Sequence, residues 1–502
     1  MGPSNEALLP YRETSIEQIL ILSSFLLLLN TVNSILDRAI YCGLLGQVLL
    51  GIAFGTPGAK WLHRETEEAI VQLGYLGLIL IVYEGGLSTS VSSLKANLLL
   101  SSAVACTGVI TPIALSFLLM PMANAKPLQA FSAGAALCST SLGTTFTVMS
   151  VSGLTDSQLG IVLGTAAMED DVIGLVLVQI ITKLSGSEAS VDALTIVRPI
   201  AVSIGFTIVL PLVCVFFVKP VMKIFIRQPA ETAGFRNRVL KAMEIPLVAL
   251  IIHTLLLLSL IAGASYAGTS TLFAAYLAGA CISWFDDAYT EAASAGQTEH
   301  QETSTSSLAS PSGSSSIRNG IAETKYERKL TGVYVYEKYY SQPLNKILKP
   351  FFFASIGFSI PITQMFSGAV VWRGIIYSIL MILGKLLCGI WLIGHTDATV
   401  FTPNYPEPEA RRSVYPAAIL GSAMVARGEI GFLVSSLAAG NGIFDSTKNT
   451  ADIFLIVTWA IVLCTVAGPV AVGLLMRRLK TLQKERQGRL ARRGSGWGVL
   501  RD

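Results

Sequence analysis

Apolar runs long enough to cross a bilayer recur along nearly the whole of this 502-residue sequence. Backbone polar groups in lipid must be satisfied internally, so only helices and closed barrels can span it. A spanning helix needs about 20 residues and a spanning strand about half that. Runs such as Pro246-Leu-Val-Ala-Leu-Ile-Ile-His-Thr-Leu-Leu-Leu-Leu have helix length and no strand alternation. Only 14% of residues are charged, against about 25% in soluble globular chains. The sequence therefore predicts an all-α polytopic membrane protein.

Thirteen candidate spans follow, at 16–37, 39–56, 68–88, 96–120, 129–151, 157–183, 194–218, 245–263, 265–284, 347–366, 373–395, 412–440 and 452–476. An odd count puts the termini on opposite sides. The tail from Arg477 and the loop after span seven (Lys219, Lys223, Arg227, Arg236, Arg238, Lys241) carry the basic residues. Positive loops face the cytoplasm, so the C-terminus is assigned there and residues 1–15 to the exoplasmic side. Lys60 and Arg64 fall on the opposite side. The first apolar run lacks the basic flank of a cleavable leader and reads as a retained helix. Residues 285–345, with the stretch Ser304-Thr-Ser-Ser-Leu-Ala-Ser-Pro-Ser-Gly-Ser-Ser-Ser316, read as a disordered cytoplasmic loop. The cysteines and histidines are scattered singly, with no spacing of a disulfide framework or metal site. No cofactor is expected.

Against this apolar background stand three consecutive acids, Glu169-Asp170-Asp171, inside Ile161–Ile181. Each ionised carboxylate at a helix centre costs about 2.5–3.5 kcal/mol on insertion scales, hence roughly 7–10 kcal/mol for three facing lipid. They must face a water-filled cavity or a buried partner, and can bind a cation, carry protons, or do both. Consecutive helical residues point about 100° apart, so Asp170 and Asp171 can serve two tasks. Glu169 is a possible auxiliary carboxylate.

Three further features share that setting. Lys385 lies within Ile379–Ile390, too deep for easy snorkelling, and its ammonium calls for a carboxylate. The run Leu137–Thr147 sets the hydroxyls of Thr140, Ser141 and Thr145 beside Gly143 in mid-span. It reads either as a satisfied helix with back-bonded hydroxyls or as an unwound helix flanking an ion site. Ala423–Phe432 places Arg427 and Glu429 around Gly428, as an internal pair or a second broken helix. Spans one to six and eight to thirteen form two sets of six around a linking seventh, with opposite topology, as inverted repeats require. The polar spans five and twelve then correspond.

These residues resemble the cation:proton antiporters, in particular the electrogenic NapA/NhaA-like branch. Ala166-Ala-Met-Glu-Asp-Asp-Val-Ile-Gly174 looks like that branch's paired-aspartate motif, Thr140–Thr145 its unwound helix, Gly384-Lys385 its embedded lysine, and Ala426-Arg-Gly-Glu-Ile-Gly431 its second broken helix. Phe351–Gly357 is similar to its Phe-rich segment, and the serine-rich insert looks most like fungal members. The resemblance implies thirteen helices with crossed broken helices, an elevator-like motion and a homodimer. It implies a scaffold and dimerisation unit from 16–91 and 245–366, and an ion-transporting core from 92–185 and 370–478. Residues 186–244 would be the linker helix and basic loop, and 479–502 the basic cytoplasmic tail. The cation-binding carboxylate maps to Asp171 and the lysine-paired one to Asp170. The implied activity is exchange of Na⁺ or K⁺, with Li⁺ as a further candidate, for H⁺ across a lipid bilayer, with neither enzyme chemistry nor nucleic acid involved. The competing expectation is a sodium-coupled organic-solute symporter of similar inverted-repeat fold. An intramembrane aspartyl protease fits poorly, because adjacent aspartates on one helix cannot face each other. Plasma membrane and endomembrane both remain open.

Overall fold

The computed structural model describes residues 13–40, 42–89, 91–141, 157–184, 193–222, 245–304, 331–393, 414–444 and 451–495. Every regular element among them is helical. Seven helices are long and apolar enough to cross a membrane, for example Arg64–Leu87, Pro246–Ala267 and Ile453–Leu479. The chain is thus an integral, multi-pass membrane protein.

Two packed groups of helices emerge. The first begins with α1 (Ile16–Ile40), α2 (Gly43–Phe54) and α3 (Arg64–Leu87), and is completed by α9 (Pro246–Ala267), α10 (Thr271–Ser304), α11 (Gly332–Tyr339) and α12 (Lys349–Phe358). Within it α3 lies along α10, and α12 packs against both α2 and α3. The approach is close because glycines face backbone. A side chain on Gly51 would strike the Ala354 carbonyl, and one on Gly357 would strike the Val48 carbonyl. Helices in lipid gain no hydrophobic drive to associate, so small residues at the contact let dispersion do the work.

The second group holds α4 (Val91–Ser116), α5 (Leu119–Ala123), α6 (Pro127–Ala136), α7 (Gln158–Leu184), α13 (Gly368–Leu386), α14 (Tyr415–Ala423), α15 (Glu429–Gly440) and α16 (Ala451–Ser495). Here α4 packs on α6 and α7, α13 on α16, and α15 on α6. Helix α8 (Ala193–Val213, continued by a π turn to Val218) touches α7 and α10, one helix of each group.

Local chemistry sets several ends. Pro127 and Pro246 open α6 and α9, where a missing N–H costs nothing. Gly268, with φ of 82°, closes α9 in the left-handed region that glycine adopts freely. The interval 285–345 differs from a simple spacer. Helix α10 continues through it to Ser304, because Ala288–Ala295 is rich in helix formers. At its far end Thr331 caps α11, its hydroxyl accepting from the Tyr334 N–H. Asp286 ties the two ends together by accepting from the Gly332 N–H at 2.5 Å. The serine-rich centre, 305–330, lies outside the described residues.

Candidate functional site

Two helix interruptions meet at the centre of the second group. Helix α6 ends at Ala136, and Ser139-Thr140-Ser141 follow without helical backbone. Helix α14 ends at Ala423, and α15 starts only at Glu429. The Ser141 N–H donates to the Ala426 carbonyl at 2.9 Å, so the two breaks touch backbone to backbone. Residues 424–428 thus interrupt the helical run between α14 and α15. No Arg427–Glu429 ion pair exists between these described residues.

Helix α7 presents its acids to this crossing. Asp170 is fully buried and its Oδ2 meets Lys385 Nζ at 2.5 Å, both groups having zero exposure. Thr140 completes a triangle: its hydroxyl accepts from Lys385 Nζ at 3.0 Å and donates to Asp170 Oδ2 at 2.9 Å. Opposite charges this close, with Thr140 bonded to both, offset part of the cost of desolvation, while Asp170 Oδ1 has no hydrogen-bond partner among the described residues. Room for the ammonium comes from α4, where a side chain on Gly108 would fall 2.9 Å from Lys385 Nζ and 3.3 Å from Asp170 Oδ2.

Asp171 is in a different position. It is buried as well, but its partner is neutral: Ser139 Oγ donates to Oδ1 at 2.7 Å. The lysine is taken by its neighbour. The site therefore holds one compensated carboxylate and one whose ionised form has no cation bonded to it among the described residues. Glu169, on the other flank, points elsewhere and accepts from Ser101 Oγ at 2.7 Å.

Arg427 is fully buried in the second break. Its Nη1 donates to the carbonyls of Ser139, at 2.8 Å, and Cys138, at 3.3 Å. A cation there faces the carbonyl end of α6, where the helix dipole is negative. Its own carbonyl accepts from Thr465 on α16 at 2.9 Å. Glu429 opens α15, and its carboxylate accepts a long hydrogen bond from Ser141 Oγ at 3.4 Å. It also lines a cavity of about 430 Å³ that reaches α1, α2 and α12.

The structure thus brings together Asp170, Asp171, Lys385, Thr140, Ser141, Arg427, Gly428 and Glu429, while Glu169 sits apart with Ser101. Gly143 and Thr145 lie outside the described residues. Sequence reasoning missed Ser139 as the partner of Asp171, Gly108 as the space for Lys385, and Gln47 as a lining residue of the cavity. Ser139 stood inside the hydroxyl-rich run. The other two carry no local signal, because their role depends on which helix lies opposite.

Taken together, fold and site define a multi-pass helical membrane protein with two interrupted helices crossed over a buried carboxylate–lysine pair. A family model described as the sodium/hydrogen exchanger, transmembrane family matches residues 21–310, more than half of the sequence, and the chain belongs to that family. It is 31% identical over 140 residues to the high-affinity Na⁺/H⁺ antiporter NhaS3 of Synechocystis, covering 28% of this chain and 30% of that one. It is 27% identical over 144 residues to the Na⁺/H⁺-K⁺ antiporter GerN of Bacillus cereus, covering 29% of this chain and 37% of that one. The matched segments therefore span only about a third of those relatives' lengths. In fold it is similar to the sodium proton antiporter MjNhaP1 of Methanocaldococcus jannaschii, with a TM-score of 0.58, covering 92% of this chain and 99% of that one at 15% identity.

Proposed function

We propose that this protein is a secondary active antiporter exchanging a monovalent cation, Na⁺ or K⁺, for H⁺ by alternating access at the Asp170–Asp171 pair. The observation that carries this reading is Asp171: a buried carboxylate whose side-chain partner among the described residues is a neutral hydroxyl, beside a neighbour paired with Lys385. An ionised Asp171 in that setting needs a positive charge, and either a proton or a metal cation supplies it. The two compete for one carboxylate, so loading one requires release of the other. Ser139 bonds the Asp171 carboxylate and Thr140 the Asp170 carboxylate, and residues 139–141 have no helical backbone, as cation sites in transporters use it. Relatives named as Na⁺/H⁺ and Na⁺/H⁺-K⁺ antiporters support the class of cargo.

The fuller reading is a thirteen-helix, inverted-repeat homodimer of the electrogenic NapA/NhaA-like type. Its C-terminus lies in the cytoplasm, and the second helix group moves as a body against the first. The deciding experiment is proton flux from reconstituted vesicles under pulses of Na⁺, K⁺ and Li⁺. The reading expects at least one cation to drive protons outward in exchange. Cation entry without proton counterflow would overturn it, and a flux driven only when an organic solute is added would replace it with symport.

A further inference from the structure

Between the two helix groups lies the cavity of about 430 Å³. At its inner end stand Ser141 and Glu429; its walls carry Asn33, Asp37, Gln47 and Lys349. Two of these residues have an unmet demand. Gln47, from α2, is only 2% exposed, yet its Oε1 has no hydrogen-bond partner among the described residues. An amide oxygen can only accept, and leaving one buried without a partner costs on the order of 1–3 kcal/mol. Glu429 is 9% exposed, and its contact among the described residues is the 3.4 Å bond from Ser141. A buried carboxylate and a buried amide oxygen lining one cavity are hard oxygen ligands for a cation.

The charge pattern agrees. Arg38 and Lys346 reach the same cavity but are exposed, where salt screens them over a Debye length of about 8 Å. Lys349 is half-buried in the cavity wall. Of the charged residues lining the cavity, Glu429 is the buried one.

Building on the antiport reading, we infer that Glu429, Ser141 and Gln47 form a waystation that holds a monovalent cation at the inner end of the cavity before it reaches Asp171. Gln47 comes from the first helix group and Glu429 and Ser141 from the second. The waystation therefore exists only while the two groups enclose the cavity in the present arrangement, and it serves the cation from one side of the membrane.

That sidedness is the test. In oriented proteoliposomes, E429Q should raise the KM for Na⁺ about tenfold on the cavity side, the loss of roughly 1.4 kcal/mol of binding. Q47L should raise it by less, and E429D should stay near wild type. The KM from the opposite face should move little in all three. A cavity-side KM unchanged in both E429Q and Q47L would overturn the inference while leaving antiport standing. Radioactive Na⁺ binding to purified protein gives a second readout that does not need transport. D171N should retain a weak site, and D171N/E429Q should lose it; equal binding by the two would also overturn the waystation. Should wild type bind Na⁺ at Glu429 but show no coupled proton flux, the antiport reading fails and the site remains.

Discussion

Where α2 meets α12, glycines set backbone against backbone; where the break after α6 meets the break before α15, buried charges and hydroxyls are added to the backbone contact. In the first contact Gly51 and Gly357 bring main chains within reach of dispersion, and no titratable group takes part. In the second, Lys385, Asp170, Thr140, Ser139 and Arg427 are all buried and each bonds to a residue from another segment, with Asp170 Oδ1 and Arg427 Nε and Nη2 left without a partner among the described residues. Dispersion contacts of close-packed atoms have no second state to switch to. A polar network does, because protonation or an arriving cation changes who bonds whom. On the antiport reading, rigidity falls to one group and response to the other. The contrast also predicts that shape and charge substitutions will have opposite signatures in the two.

The largest effect should come from Asp171→Asn. The amide keeps the volume but can neither titrate nor neutralise a bound cation. Exchange should vanish while the protein still reaches the membrane and unfolds at a near-normal temperature. Cation-driven proton flux retained in correctly assembled variant protein would remove Asp171 from the site and break the contrast on its functional side.

Lys385→Gln should be intermediate. Lys385 Nζ stands 2.5 Å from Asp170 Oδ2. On the antiport reading the charge of this pair contributes to the charge moved in each cycle, so the variant, which lacks the ammonium but retains Asp171, should keep some exchange and lose its voltage dependence. Removing one member of a buried pair costs about 3–5 kcal/mol if the other stays charged, so thermal stability should fall too. Solid-supported-membrane currents read beside a pH-dye flux assay separate the two effects. An unchanged transport current would reduce the pair to a structural bridge.

In the first group the signature should invert. In Gly357→Val the new side chain meets the Val48 carbonyl, with the Ile52 nitrogen at 2.7 Å and the Gly51 carbonyl carbon at 3.0 Å from its Cβ. Main chain cannot rotate away, and overpacking of this kind costs about 1–3 kcal/mol. The unfolding temperature in detergent should drop, whereas the KM for Na⁺ of the folded fraction should match wild type. A changed KM with unchanged stability would show that the α2–α12 contact takes part in the cycle.

Residue by residue, legibility followed energetic cost. Asp170, Asp171 and Lys385 stood out because charge within an apolar run needs an explanation that composition cannot provide. Thr140 and Ser141 were visible as an unusual density of hydroxyls, although the helix break beneath them had a satisfied-helix alternative until the Ser141–Ala426 contact was seen. The helical ends of the interval 285–345 were hidden by its average: serine and charge outweighed the Ala288–Ala295 stretch that extends α10. Gly108 and Gln47 were illegible for a deeper reason. A glycine or glutamine in an apolar helix has many uses, and only the neighbour brought opposite by packing selects one.

The smallest effect concerns Asp286, near the middle of α10 and just beyond its apolar stretch, where that helix is joined to the start of α11. Burial pushes its carboxyl up to about 6, against about 3.9 for an unstructured aspartate. The folded chain therefore binds this proton more tightly than the unfolded chain does. The resulting stability is fully present below about pH 4 and is lost as pH rises through about 6. Asp287 lies alongside and adds to the cost of ionisation. Asp286→Asn is neutral at every pH and keeps an oxygen that can accept from the Gly332 N–H. Its unfolding temperature should exceed that of wild type at pH 8, converge with it near pH 4.5, and show a flatter slope between. Transport at saturating cation should not follow that slope, since Asp286 belongs to the packed, unresponsive group. Parallel unfolding profiles for the two proteins would mean that ionisation at Asp286 costs nothing. A transport profile that shifts with the substitution would make the α10–α11 join part of the responsive group instead.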